Sequence, residues 1–207
     1  MLIAQRPPTV LDLPSGLRVA IAIQRWTPEW WDGEIEPAGL PQIWARKPMV
    51  AVGGHPCCAE VAVVRELALA GWRGMWVSAF GNSLRREWFP ASAFRTISCA
   101  GAAPWAAQIF DAAQDANGGK LAGFFGVFAW REQPEVLFCE AKVGPDRIHA
   151  SQRVVLDRAL RLRPASEFLV MNCPLLSGRR PLPRPPPGPA ARTERMPGLS
   201  AGIDGNC

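Results

Sequence analysis

Apolar and polar positions alternate with regular spacing only between about Cys57 and Cys173, and that stretch predicts the ordered unit. A helix is expected from Ala59 to Ala70, stopped by Gly71, a residue suited to the left-handed turn after a helix. RGMWVSAF, residues 73 to 80, has strand character, and a polar loop with Arg85 and Arg86 follows. A second helix, Trp105 to Ala116, ends at Asn117-Gly118-Gly119. Two strands, 123 to 131 and 135 to 142, flank the hairpin-sized Glu132-Gln133-Pro134. A helix from Ala150 to Leu162 and a strand from Glu167 to Met171 complete the pattern. The order α-β-α-β-β-α-β implies an α/β fold: a central mixed sheet flanked by helices.

Outside this stretch the periodicity fails. Among the first 56 residues only Leu17 to Ile23 has strand character. The segment QRWTPEWWDGEIEPAGLPQIWARKP follows neither period and holds Trp26, Trp30, Trp31 and Trp44. Residues 1 to 56 are read as a Trp- and Pro-rich arm or small subdomain. Its indoles serve either to pack onto the core or to stack bases or grip a partner. Residues 174 to 207 carry eight Pro and few bulky apolar groups, so disorder is expected there. Five arginines in that tail, at 179, 180, 184, 192 and 195, suit sequence-independent contact with nucleic acid, although an unselected terminus has the same composition.

Composition narrows the compartment more than the chemistry. Apolar runs fall well short of the roughly 20 residues of a membrane span, and the N-terminal residues do not resemble a signal peptide. A cytoplasmic protein is expected, with its six Cys reduced. The net charge of +5 permits a polyanionic partner without requiring one. Basic residues are 20 Arg and only three Lys, which draws attention to each lysine.

Three polar anomalies interrupt the apolar faces. Helical spacing puts Glu60 on one stripe with Val63, Val64, Leu67 and Ala68, where burying a carboxylate is costly without compensation. Gln152 heads a similar stripe with Val155, Leu156, Ala159 and Leu160. In VLFCEAK, strand alternation sends Glu140 and Lys142 to the side of Val136 and Phe138, with Leu137, Cys139 and Ala141 opposite. An E-x-K pair by itself is commonly a surface ion pair. Here it is followed at once by the Gln152 helix and preceded by Glu60.

Together, Glu60, the strand pair in GFFGVFAWREQPEVLFCEAKVGPDRIHASQRVVLDRAL (residues 123 to 160) and Gln152 resemble the PD-(D/E)xK nuclease superfamily, specifically its virus-type replication-repair nuclease (VRR-NUC) domains. The likeness runs from Glu60 to Met171. It implies a restriction-endonuclease-like core over residues 57 to 173 and metal-dependent hydrolysis of phosphodiester bonds, with DNA as the partner, a structure-specific substrate among the options, and Mg²⁺ or Mn²⁺ as cofactor. It also implies a catalytic set of Glu60, Glu140, Lys142 and Gln152, and metal binding by Glu140, the Ala141 backbone carbonyl and Glu60. Homodimerisation occurs among such proteins. In this arrangement the lysine orients or deprotonates the attacking water, and Gln152 steadies the lysine or the phosphate.

One position departs from the pattern. Where a metal-binding Asp is implied, the chain has Gly126, which brings no side chain. Three consequences stay open: an impaired nuclease, an inactive module that binds nucleic acid or protein, or an active enzyme with a migrated ligand such as Asp111 or Asp115. His55-Pro56-Cys57-Cys58 lacks the paired spacing of a zinc site. Cys139 with His149 as base is a weaker reading than a buried apolar Cys. Gly118-Gly119-Lys120 has the wrong frame for a phosphate loop.

Overall fold

The computed structural model describes residues 4–31, 49–78, 83–85, 102–132 and 135–174. Nine strands and three α-helices follow one another as β1 (Ala4–Asp12), β2 (Arg18–Arg25), β3 (Met49–Val52), β4 (His55–Cys58), α1 (Ala59–Leu69), β5 (Arg73–Ser78), β6 (Ser83–Arg85), α2 (Pro104–Ala116), β7 (Val127–Trp130), β8 (Val136–Val143), α3 (Ala150–Ala159) and β9 (Phe168–Cys173) among the described residues. Seven of the strands form a mixed sheet in the order β1-β2-β9-β8-β7-β5-β6, and β3 and β4 form a separate hairpin. The α/β class and the helix-flanked mixed sheet therefore agree with the sequence pattern. The Pro-rich tail from residue 175 onward, Arg86 and Trp44 lie outside the described residues.

Alternation along the central strands divides the core between the two faces of the sheet. Phe128 and Trp130 of β7, Val136 and Phe138 of β8, and Phe168 and Val170 of β9 join α2 and α3 residues such as Phe110 and Leu156. The opposite residues, Val127, Ala129, Cys139, Ala141, Leu169 and Met171, pack with α1 and the β3–β4 hairpin. On the first face Phe110, Phe128, Phe138 and Phe168 form a continuous aromatic row, with successive centroids 5.0, 5.1 and 5.1 Å apart. This row fixes the start of β8, the strand that also carries Glu140 and Lys142.

Three expectations need correction. The first 56 residues are not merely an arm: β1 and β2 extend the central sheet, β2 running parallel to β9 with Ala22 opposite Leu169. Pro7 and Pro8 concealed β1, and the pairing with β2 shifts register between Arg6 and Thr9, where those prolines sit. Trp26 and Trp30 are buried against the α1 face, in keeping with the packing alternative. Residues 83 to 85, read as part of a loop, add a short strand beside β5. Finally, α1 buries Ala59, Val61, Ala62 and Val63, whereas Ala68 is exposed. The first half of α1 is buried most deeply; Val64 and Leu67 are partly buried against the same core, and Leu69 at the end is exposed.

Candidate functional site

Three backbone features bring the polar residues together. Gly123 has φ of +83°, and a Cβ there would lie 2.6 Å from the Ser151 carbonyl oxygen. Glycine alone permits the loop before β7 to approach the first turn of α3 so closely. At the end of β8, Gly144 has φ of +60° and donates its N–H to the Cys173 carbonyl at 2.8 Å. The chain turns there and returns through Asp146 to the start of α3. In that first helical turn, the Gln152 Oε1 accepts the His149 backbone N–H at 3.0 Å, which satisfies one of the unpaired amides of the helix start.

Glu140 and Lys142 then stand side by side, almost wholly removed from water. The Lys142 ammonium lies 3.1 Å from Glu140 Oε1. It also donates to Gln152 Oε1 at 2.9 Å and to Asp146 Oδ2 at 3.3 Å. Three acceptors thus meet the three N–H groups of the lysine. The other Glu140 oxygen accepts the Gly126 backbone N–H at 2.7 Å. Burial raises the Glu140 pKa above its ordinary value of 4.5; Lys142 and a hydrogen bond with the Gln152 side chain pull it back, Glu60 pushes it up, and the Gly126 N–H pulls it down. Burial prevails.

A cavity of about 300 Å³ opens beside this pair, lined by Ala59, Glu60, Glu140, Ala141, Lys142, Val143, Asp146 and His149. Three of the four expected catalytic residues, Glu60, Glu140 and Lys142, line it, as does Ala141. Gln152 is buried behind Lys142 and supports it instead. Gly126, expected at the rim, is buried; a Cβ built on it would lie 2.9 Å from Glu60 Cγ and 3.4 Å from Glu140 Oε2. Position 126, where the resemblance implies an acid, is therefore wedged against both carboxylates. Its backbone is not in the left-handed region, so a side chain there is hindered by Glu60 and not by dihedral strain.

The migrated-ligand candidates fare differently. Asp111 and Asp115 are exposed on α2, and neither lines this cavity; Asp115 faces a separate groove with Arg158 and Arg161. Asp146 and His149 do line it, and the sequence reading did not place them in the site. The signal for Asp146 was its position four residues beyond Lys142 in the tight turn begun by Gly144-Pro145. His149 Nε2 lies 3.3 Å from Asp146 Oδ1. Cys139 is fully buried on the opposite face, and burial pushes its thiol well up, which agrees with an apolar Cys and not a nucleophile. Burial likewise raises the Cys57 thiol to about 11.

Among the described residues no three His, Cys, Asp or Glu side chains are arranged closely enough to form a ready metal cage. The oxygen donors in the cavity lining that could hold a hard cation are Glu60, Glu140 and the Ala141 carbonyl. Glu60, Glu140 and Asp146 oppose a single ammonium around the cavity, and Mg²⁺ commonly uses one or two carboxylates together with substrate phosphates and waters. No family model matches the chain, and no curated protein matches it. Among the described residues no helix is long and apolar enough to cross a membrane.

Proposed function

We propose that this chain is a restriction-endonuclease-like protein of the PD-(D/E)xK nuclease superfamily, of the VRR-NUC type, and that the cavity beside Glu140 is a metal-dependent site for hydrolysing DNA phosphodiester bonds, weakened by Gly126. The observation that carries this reading is the location of the Gly126 Cβ direction, against both Glu60 and Glu140. An acid at that position would complete a carboxylate cluster facing Lys142. The element order α1, β5, β7, β8, α3, β9 supports it, since it brings the acid of the first helix, the E-x-K strand and the glutamine helix to one place.

The chemistry follows from the charges. Three carboxylates against one ammonium repel a phosphodiester, so the anionic substrate needs a further cation. Glu140, Glu60 and the Ala141 carbonyl would hold that ion, which when bound activates water and relieves charge on the phosphate. Lys142 favours the ionised form of Glu140, against the effect of burial, and fixes its direction. To reach a phosphate oxygen it must release an acceptor, and Asp146 is the most exposed and the most distant of the three. Gln152 holds the ammonium near Glu140 during that exchange.

A second reading, a module that binds nucleic acid without cutting it, is favoured by the complete commitment of the Lys142 donors and by the two-carboxylate remainder around Gly126. Branched and linear labelled DNA incubated with Mg²⁺ or Mn²⁺ separates the two. The nuclease reading expects metal-dependent products that disappear in Glu140→Ala. DNA binding without products, under both metals, leaves the binding module.

A further inference from the structure

Side-chain donors in the cavity wall are scarce. Among the described lining residues, Ala59, Ala141 and Val143 are apolar, and Glu60, Glu140 and Asp146 are carboxylates when ionised. That leaves Lys142 and His149. Lys142 already meets three acceptors and is buried. His149 has 65% of its side chain exposed, on the wall of the same cavity.

We infer that His149 is a substrate-contacting residue, whose Nε2–H donates to a non-bridging oxygen of a DNA phosphate seated in this cavity, with Asp146 as its positioning partner. The inference rests on the reading of the cavity as a DNA phosphate site, not on cleavage. Asp146 is itself held: its Oδ1 accepts the Arg147 backbone N–H at 2.8 Å, and its Oδ2 faces the Lys142 ammonium at 3.3 Å. A carboxylate anchored on two sides presents a fixed oxygen to the imidazole. The His149 Nε2 lies 3.3 Å from Asp146 Oδ1, so the ring is held beside this carboxylate at the cavity wall. The main chain of His149 is fixed too, because its N–H is bonded to Gln152, the residue that also holds Lys142. A phosphate oxygen that displaces Asp146 from the ring therefore meets a donor already held at the cavity wall. Asp146 lies against both His149 and Lys142, so a phosphate that displaces this carboxylate acts on both donors at once.

The test is DNA affinity, which does not depend on turnover. The full chain, His149→Ala and His149→Gln are titrated with labelled branched DNA in Ca²⁺. One set of DNAs carries a methylphosphonate at each successive linkage, which removes a non-bridging oxygen. His149→Ala is expected to bind unmodified DNA about tenfold more weakly, the range for a hydrogen bond to a charged acceptor. His149→Gln, which keeps an N–H donor, should recover most of the loss. At one linkage the methylphosphonate should weaken the wild type and leave His149→Ala unchanged. Equal affinity of wild type and His149→Ala overturns the inference. A loss that persists undiminished at every modified linkage also overturns it, since the ring then acts only on the start of α3. Binding that behaves as expected without any cleavage in Mg²⁺ or Mn²⁺ sinks the nuclease reading and upholds the contact. No binding by the wild type overturns both.

Discussion

The two halves of β8 share one face of the sheet and do opposite work. Val136 and Phe138 belong to the core shared with α2 and α3, Phe138 within the aromatic row, whereas Glu140 and Lys142, continuing the same alternation, are buried beside polar groups. What differs is the neighbour. The first half meets Phe128 and Phe168; the second meets the Gly126 amide, the first turn of α3 and the turn at Asp146. Apolar burial in the first half is non-directional and stabilises the fold. Burial in the second half is tolerated only because the Glu140 oxygens and the Lys142 hydrogens find partners, and such an ion pair contributes little net stability compared with apolar residues of similar shape.

Substitutions should separate the halves. Phe138→Ala removes a ring that contacts both neighbours in the row, and should cost about 3–5 kcal/mol in urea unfolding. The folded fraction should keep whatever metal or DNA affinity the wild type has; a change in affinity at full folding would show that the halves are not independent. Lys142→Met should cost about 3 kcal/mol at neutral pH, by leaving Glu140 buried without its cation. That loss should shrink in acid, as Glu140 takes up a proton. A loss constant with pH would mean that packing, and not charge, dominates the second half.

Gly126→Asp acts on the site while sparing the aromatic row. Glu60 must move, because its Cγ stands 2.9 Å from the new Cβ. If it does, Mg²⁺ affinity and any cleavage should rise at least about tenfold, a barrier change of ~1.4 kcal/mol. Calorimetric titration and a cleavage assay measure both, and equal values in the two proteins would remove Gly126 as the position of the missing ligand. The smallest effect is on pH dependence. The folded-state pKa of Glu140 lies above 4.5, so its neutral form is favoured by folding. This contribution is complete below the unfolded value and is lost as pH rises through the folded one. Glu140→Gln should flatten that part of the stability profile; an unaltered slope would assign it to other groups.

Much of the inner fold was legible because its elements are periodic. The three α-helices and strands β5, β8 and β9 were each foreseen near their observed bounds, since each alternates or repeats over several residues; β7 was foreseen over 123 to 131 but spans only Val127–Trp130. Of the outer pieces only β2 was foreseen, as the strand over Leu17 to Ile23. β1 carries two prolines at its register shift, β3 and β4 are only four residues each, and β6 is three. Such short strands contain too few positions for alternation to register. In the site, Glu60, Glu140, Lys142 and Gln152 were visible as polar residues on apolar faces. Asp146 and His149 were not, because a turn has no face against which a polar residue is anomalous. Their placement depends on Gly144 and on the docking of α3.

The parallel pairing of β8 with β9 has a consequence for how the protein is made. During synthesis Glu140 and Lys142 emerge well before residues 168 to 173, so β8 has β7 on one side and an open edge on the other. β2, made early, also waits for β9 before it can join the sheet. A nascent chain therefore carries two incomplete edges at once, both closed by a single late strand, and pairing across such long separations is slow. Any truncation that removes Phe168–Cys173 would leave those edges exposed to other chains, so the loss should appear first as aggregation and only secondarily as lost activity.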